Sequence, residues 1–174
     1  IKFEDNRLLK QLWPNNFSYP RTIQGKVVAI KRFKKSQPLI IFKVEKINKL
    51  NEKVMEITLC NESTNFDYIP GQFCFFQFVK EDISMESHPY TICGTYTEGH
   101  ITILVKSLGD YTKNLFKKLT INTTALIEGP YGNFDHKLGK EKQIWIAGGV
   151  GIAPFVSWCR DVENNYMSGL DIDF

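Results

Sequence analysis

The sequence predicts a mainly β chain: a six-stranded antiparallel Greek-key barrel with one helix, followed by the first β-α-β of a parallel α/β domain. Three observations predict it. Six short stretches between residues 40 and 128 carry apolar strand patterning with turn signals between them. One run near 112–119 has helical spacing instead. From Gln143 the pattern becomes a short apolar strand, a glycine turn, a helical run and a second apolar strand.

Residues 1–39 read as an irregular lead-in, with Trp13-Pro14, Tyr19-Pro20 and several Asn but no sustained period. Gly25–Phe33 can form a strand. The basic patch Lys31-Arg32-Phe33-Lys34-Lys35 reads as a solvated turn, or as a juxtamembrane contact with anionic lipid. The barrel strands are expected at Ile40–Ile47, Lys53–Cys60, Gln72–Lys80, Tyr90–Thr95, Ile101–Lys106 and Ala125–Glu128. Asn48, Lys49 and Asn51 mark the first turn, and Glu98-Gly99 marks a hairpin turn. Ile101, Ile103 and Val105 alternate with Thr102, Leu104 and Lys106, so one face points to a core. Thr112 can cap the helix, whose stripe is Leu115, Phe116 and Leu119, and Lys117 and Lys118 suit its negative end. Ile144–Ala147 is expected as a buried strand before the Gly148–Gly151 turn. The helix then starts near Pro154, ends at Gly169, and precedes the start of a second buried strand, Leu170–Phe174. The stretch from Gln143 onward is about the length of one βαβ unit, so the rest of that domain is expected beyond Phe174.

Charge is nearly balanced, 22 basic against 19 acidic residues, which argues against a nucleic-acid binder. No apolar run approaches the roughly 20 residues of a membrane helix, and no signal peptide opens the chain. The first residue is Ile1 rather than Met, so a processed chain or an excised piece is expected. Cys60, Cys74, Cys93 and Cys159 form no CxxC and, with the histidines, no zinc-ligand spacing. They read as reduced, mostly buried thiols of a cytosolic environment. No metal site is readable. His100 and His136 have no carboxylate or serine at a telling spacing and are expected at the surface. Asp171 and Asp173 look like strand-edge charges.

Four short motifs follow one another in order. They are Pro70-Gly71-Gln72-Phe73, His88-Pro89-Tyr90-Thr91-Ile92-Cys93, Lys106-Ser107-Leu108-Gly109-Asp110-Tyr111-Thr112, and Gly129-Pro130-Tyr131-Gly132 leading to Gly148–Pro154. Each could be an ordinary turn, strand or tight βα connection. Their order and spacing, over roughly residues 40–174, resemble the ferredoxin–NADP reductase superfamily. The His-Pro-aromatic-Thr and Gly-Asp-aromatic-Thr forms look like its ferric reductase and NADPH oxidase branch. Elsewhere in the superfamily an Arg commonly opens the first of these motifs; here it is His88.

The resemblance implies a FAD-binding β-barrel domain over 40–138 and the truncated start of an NAD(P)-binding domain over 139–174. It implies FAD contacts at His88, Pro89, Tyr90, Thr91, Lys106, Gly109, Tyr111 and Thr112, with Thr91 in the catalytic role. Gly148, Gly149, Gly151 and Pro154 would form the nicotinamide-side loop for NAD(P)H. The residue chemistry agrees. A Tyr90 ring can stack on a flavin, a Thr91 hydroxyl can hydrogen-bond its edge, and a helix start beside Gly109 suits a pyrophosphate. Lys106 can add charge there or simply face solvent, and His88 would bring only partial charge near neutrality.

The implied function is a flavin-dependent oxidoreductase module. It would take a hydride from NAD(P)H and pass electrons to a haem or iron acceptor, the haem held in a membrane domain upstream. The expected location is cytoplasmic, at the cytosolic face of a membrane protein. A soluble reductase serving a ferredoxin, a flavodoxin or an oxygenase is the nearest alternative. A non-catalytic partner-docking module is another. The residues that grip the adenosine end would lie beyond Phe174, so this stretch is not expected to be active alone.

Overall fold

The computed structural model describes residues 22–23, 26–27, 39–61, 66–94, 99–165 and 171–174. The chain divides into two compact units, Ile1–Pro38 and Leu39–Phe174. In the first, β1 (Thr22–Ile23) and β2 (Lys26–Val27) pair antiparallel. The strand expected over Gly25–Phe33 is therefore seen at Lys26–Val27, and the basic patch at 31–35 lies outside the described residues.

The second unit is built on a six-stranded antiparallel sheet. Its strands are β3 (Ile40–Lys49), β4 (Val54–Cys60), β5 (Phe73–Val79), β6 (His88–Thr91), β7 (His100–Lys106) and β8 (Thr124–Tyr131). Their order is β6-β5-β8-β3-β4-β7. The two edges meet beyond β6, where Ile92 bridges Ile103 and the Cys93 N–H donates to Thr102 O at 2.8 Å. The sheet thus nearly closes into the expected barrel, and among the described residues β6 lies near β7 without pairing along it.

Period-two patterning fills the interior. Phe42, Val44, Met55, Ile57, Leu59, Cys74, Phe76, Phe78, Ile101, Ile103, Val105, Ala125 and Ile127 are all buried. Each large side chain among them contributes roughly 1.5–3 kcal/mol by leaving water. A bulge between Val44 and Lys46 breaks the β3–β4 register. The extra residue lets Lys46 stay exposed while Ile47 packs on the core. The first hairpin turns where expected, with Asn51 Oδ1 accepting the N–H groups of Lys53 and Val54. Gly99, at φ +75°, supplies the second turn, whose Glu98 lies outside the described residues.

Helix α1 spans Asp110–Lys118, so it starts two residues before the Thr112 cap that the sequence suggests. Gly109 is the N-cap residue. The Thr112 hydroxyl instead accepts the N–H groups of Leu108 and Gly109, both at 3.0 Å. Leu115 and Leu119 are buried, and Phe116 packs beside them.

After β8 come β9 (Lys142–Ile144), a 3-10 turn at Gly149–Ile152, α2 (Ala153–Asn165) and β10 (Asp171–Asp173). β9 and β10 pair in parallel, which gives the expected β-α-β. Most strand ends fall within two residues of expectation, and three elements differ more. β6 ends at Thr91 rather than Thr95. β6 begins at His88 and not Tyr90, because Pro89 is tolerated on an edge strand. β8 continues through the Gly129-Pro130-Tyr131 motif. β9 ends where Ile144–Ala147 was expected to begin, and Ile144 and Ile146 are exposed while Trp145 between them is buried. The end of α2 near Gly169 lies outside the described residues. Phe174 is exposed rather than buried.

Candidate functional site

The site is assembled from two anchors. The first is the β5–β6 register, in which Cys74 faces Tyr90 and Phe76 faces His88, while Phe73 faces Thr91 and Phe75 faces Pro89. His88 and Tyr90 thus share the core side of the strand, and Pro89 and Thr91 share the outer side. The Ile92 N–H donates to Gln72 O at 3.0 Å. Counting back by two makes Tyr90 and His88 the residues that hydrogen-bond β5. The N–H of Thr91 therefore points away from β5 toward the open edge, where Pro89 has none to lose.

The second anchor fixes α1. Asn114 Nδ2 and Lys118 Nζ both donate to Asp82 O in the β5–β6 loop, at 2.8 and 3.3 Å. Lys80 and Lys118 flank the Asp82 carboxylate. This brings the helix start against the first strand residue: the His88 and Tyr111 rings stack with centroids 3.9 Å apart. His88 Nε2 also meets Glu86 Oε2 at 3.2 Å, and Glu86 is held by Ser84 Oγ at 2.8 Å.

Between the anchors lie two phenols. The Tyr90 ring meets Phe76 edge-on at 5.8 Å, and Tyr90 and Tyr111 both bury their hydroxyl oxygens with no hydrogen-bond partner among the described residues. Burial pushes Tyr111 up to about 12, with the Glu86 carboxylate adding to it. Burial, and Tyr111 beside it, push Tyr90 up as well. Both are neutral at ordinary pH and hold a proton available for donation. An unmet buried hydroxyl costs about 1–3 kcal/mol, so a ligand bringing acceptors to this mouth fits the residues present.

The remaining expected positions are more open. Lys106 is exposed at the end of β7. A side chain added at Gly109, Gly148 or Gly151 would meet nothing within 4 Å. Pro154 is the second residue of α2, in its first turn as expected. The structure brings His88–Thr91 and Gly109–Thr112 together. The Gly148–Pro154 loop belongs to the β-α-β, and its 3-10 turn lies near β7.

Sequence reasoning missed the seam where α2 meets the barrel. Arg160 Nη1 donates to Cys93 O and Thr102 Oγ1, both at 2.8 Å, and Nη2 pairs with Glu56 at 3.3 Å. Trp158 Nε1 donates to Pro70 O at 2.9 Å. His136 is fully buried rather than at the surface, its Nε2 3.0 Å from Asp161 Oδ2. His100 is half-buried beside Glu45. Of the four cysteines, Cys74 and Cys93 are buried, Cys60 is half-buried and Cys159 is exposed. A cavity of about 280 Å3 opens at this seam, lined by Tyr68, Pro70, Gly94, Ser157 and Arg160 among others. None of His88–Thr91 or Gly109–Thr112 lines it.

A family of FAD-binding domains matches residues 39–135, more than half of the chain. The chain is 28% identical over 137 residues to ferric reduction oxidase 7, chloroplastic, of Arabidopsis thaliana, covering 67% of this chain and 18% of that protein. It is 30% identical over 124 residues to human NADPH oxidase 4, covering 60% and 21%. The chain belongs to the ferredoxin–NADP reductase superfamily, in its ferric reductase-like branch of FAD-binding domains. The fold agrees. The flavohem-like FAD/NAD-binding domain of nitric oxide dioxygenase from Vibrio cholerae O1 biovar El Tor superposes with a TM-score of 0.65 at 18% identity. The match covers 79% of this chain and 62% of that one. This ferric reductase-like chain spans about a fifth of the length of the two relatives named.

Proposed function

We propose that this chain carries the flavin-binding part of an NAD(P)H-dependent oxidoreductase that delivers electrons to a haem or iron acceptor. The observation that carries the reading is the stack of His88 on Tyr111, with two unmet phenol hydroxyls at the junction of strand end and helix start. When bound, FAD would accept a hydride from NAD(P)H and release electrons onward. The chain's own residues would bind, orient and screen it. Pro89, Tyr90 and Thr91 would hold the ring system at the open edge of β6. The outward Thr91 N–H and its hydroxyl would donate to the polar edge of that ring. Gly109, Tyr111 and Thr112 would receive the pyrophosphate at the start of α1, where backbone N–H groups and the helix dipole favour an anion. Lys106 would add charge, and His88 would hold Tyr111 in place.

On this reading residues 139–174 begin the NAD(P)-binding domain, and the exposed Gly148, Gly149 and Gly151 leave room for a nicotinamide. The kinship with ferric reductase-type proteins supports a haem-bearing membrane domain as electron acceptor, with this module at its cytosolic face. Among the described residues, no helix is long and apolar enough to cross a membrane.

Titration with FAD, followed by absorbance and by flavin fluorescence, tests the binding. A saturating spectral shift with quenched emission is expected, and unaltered free-flavin spectra would overturn the reading. Thr91→Ala in the intact protein should slow flavin reduction by NAD(P)H more than it weakens FAD binding. An unchanged reduction rate would remove Thr91 from its role.

A further inference from the structure

We propose a divalent transition-metal site, of zinc-like preference, on the outer wall of the barrel, formed by Glu45 of β3, Cys60 of β4 and His100 of β7. One ligand atom from each lies within 4.8 Å of the other two. The sheet itself makes this meeting. Cys60 and His100 are direct partners in the β4–β7 register, so their side chains stand side by side on one face. On the other flank Cys60 faces Lys43, and the bulge that follows Val44 sets Glu45 on the outer side of β3. Glu45 Oε2 lies 3.2 Å from His100 Nε2, so the imidazole already points into the cluster.

The donor set selects the ion. A thiolate, an imidazole and a carboxylate suit a borderline-soft dication, whereas magnesium and calcium take oxygen. Two anionic ligands balance a 2+ charge. Bonds of about 2.0–2.3 Å place tetrahedral donors roughly 3.3–3.8 Å apart, so closing the site needs only small side-chain rotations. A fourth position would fall to water. The backbone beneath is fixed, because the Asn61 N–H donates to Gly99 O at 2.8 Å across the adjoining turn. His100 is 22% exposed and Glu45 53%, so an ion has access from solvent. Such an ion would clip three strands together. The ligands sit at positions 45, 60 and 100, a spacing with no motif, which is why the site is invisible in the sequence. No residue of 88–91 or 109–112 takes part, so the site stands independently of the flavin reading.

Titration of the reduced full chain with Co2+ tests it. One cobalt per chain is expected, with a sulfur-to-cobalt charge-transfer band and four-coordinate ligand-field bands that Zn2+ displaces. Cys60→Ser should abolish the charge-transfer band, and Glu45→Gln and His100→Gln should each weaken binding by about tenfold or more. Cys159→Ser should leave the titration unaltered. Melting midpoints recorded alongside report whether each variant folds. If Cys60→Ser does not fold, the Glu45→Gln and His100→Gln titrations decide. A wild-type chain without the sulfur band, a band that survives Cys60→Ser, or affinity unchanged in both ligand variants would overturn the site and leave Glu45–His100 an ordinary ion pair.

Discussion

The mouth formed by β6 and α1 and the seam between the barrel and α2 differ most clearly in their glycines. At the seam, a Cβ on Gly71 would run into the Phe134 backbone carbonyl and the Trp158 indole, and one on Gly94 would meet the Arg160 side chain at 2.8 Å. Both residues also hold positive φ, +99° and +102°. The protein itself requires glycine there. At the mouth, Gly109 has an extended backbone and empty space where a side chain would stand. No neighbour crowds position 109, and on the proposed reading that open space receives the pyrophosphate. The polar groups tell the same story. Arg160 meets three partners at the seam, whereas the Tyr90 and Tyr111 hydroxyls are buried and unmet at the mouth.

The largest expected effect follows from the crowded side of this contrast. Gly71→Ala should destabilise the fold by about 3 kcal/mol or more, through strain at positive φ and overpacking against rigid backbone. Thermal unfolding reads it, and an unchanged midpoint would show that the seam is looser than described. Arg160→Met should cost about 3 kcal/mol, since it removes the Arg160 donor from Cys93 O and the cation from Glu56, and leaves the Thr102 hydroxyl only its bond to Gly94 O. Gly109→Val is the reverse case. Its unfolding free energy should fall by no more than about 1 kcal/mol, the cost of a β-branched residue at the N-cap, while FAD affinity falls about tenfold or more if a pyrophosphate packs at the helix start. A variant that loses much more stability than that while keeping its FAD affinity would remove the pyrophosphate from position 109. Tyr111→Phe should stabilise the apoprotein by about 1 kcal/mol by removing a buried unmet hydroxyl. The gain should shrink when FAD is present.

The smallest effect concerns pH at the seam. Burial raises the Asp161 carboxyl, but hydrogen bonds from Lys137 and His136, with their charges, outweigh it and leave the group below its ordinary 3.8. A lowered carboxylate adds stability above that ordinary value and loses it as pH falls through the folded value. The acid limb of the melting curve should therefore flatten in Asp161→Asn. An identical acid limb would assign the loss to other carboxylates.

The barrel was largely legible in the sequence because period-two alternation is a local signal. Ile101, Ile103 and Val105 faced the core as their spacing implies, and Leu115 sealed one end. The motif order also pointed to 88–91 and 109–112, which meet where His88 stacks on Tyr111. What could not be read were contacts made across long separations by ordinary residue types. Arg160 looks like a solvated charge on a helix, yet it covers Thr102 so well that a residue on the outer face of β7 is only 2% exposed. His136 has its partner 25 residues away on α2, a spacing that carries no motif. Helix α1 started early because Gly109, not Thr112, takes the cap position. A threonine hydroxyl at the third helical position serves the incoming loop equally well. Ile144 and Ile146 were expected inside a sheet, but only Trp145, just past β9, packs on Phe155 and Trp158 of α2, so this segment buries one side alone.

Hydrogen exchange with and without FAD tests the central claim most directly. If the strand end and the helix start hold one flavin nucleotide between them, amides in 88–93 and in 107–112 should slow together as FAD saturates, while those in 55–59 stay as they were. Protection at only one of the two segments, or at neither while FAD is bound, would contradict the account.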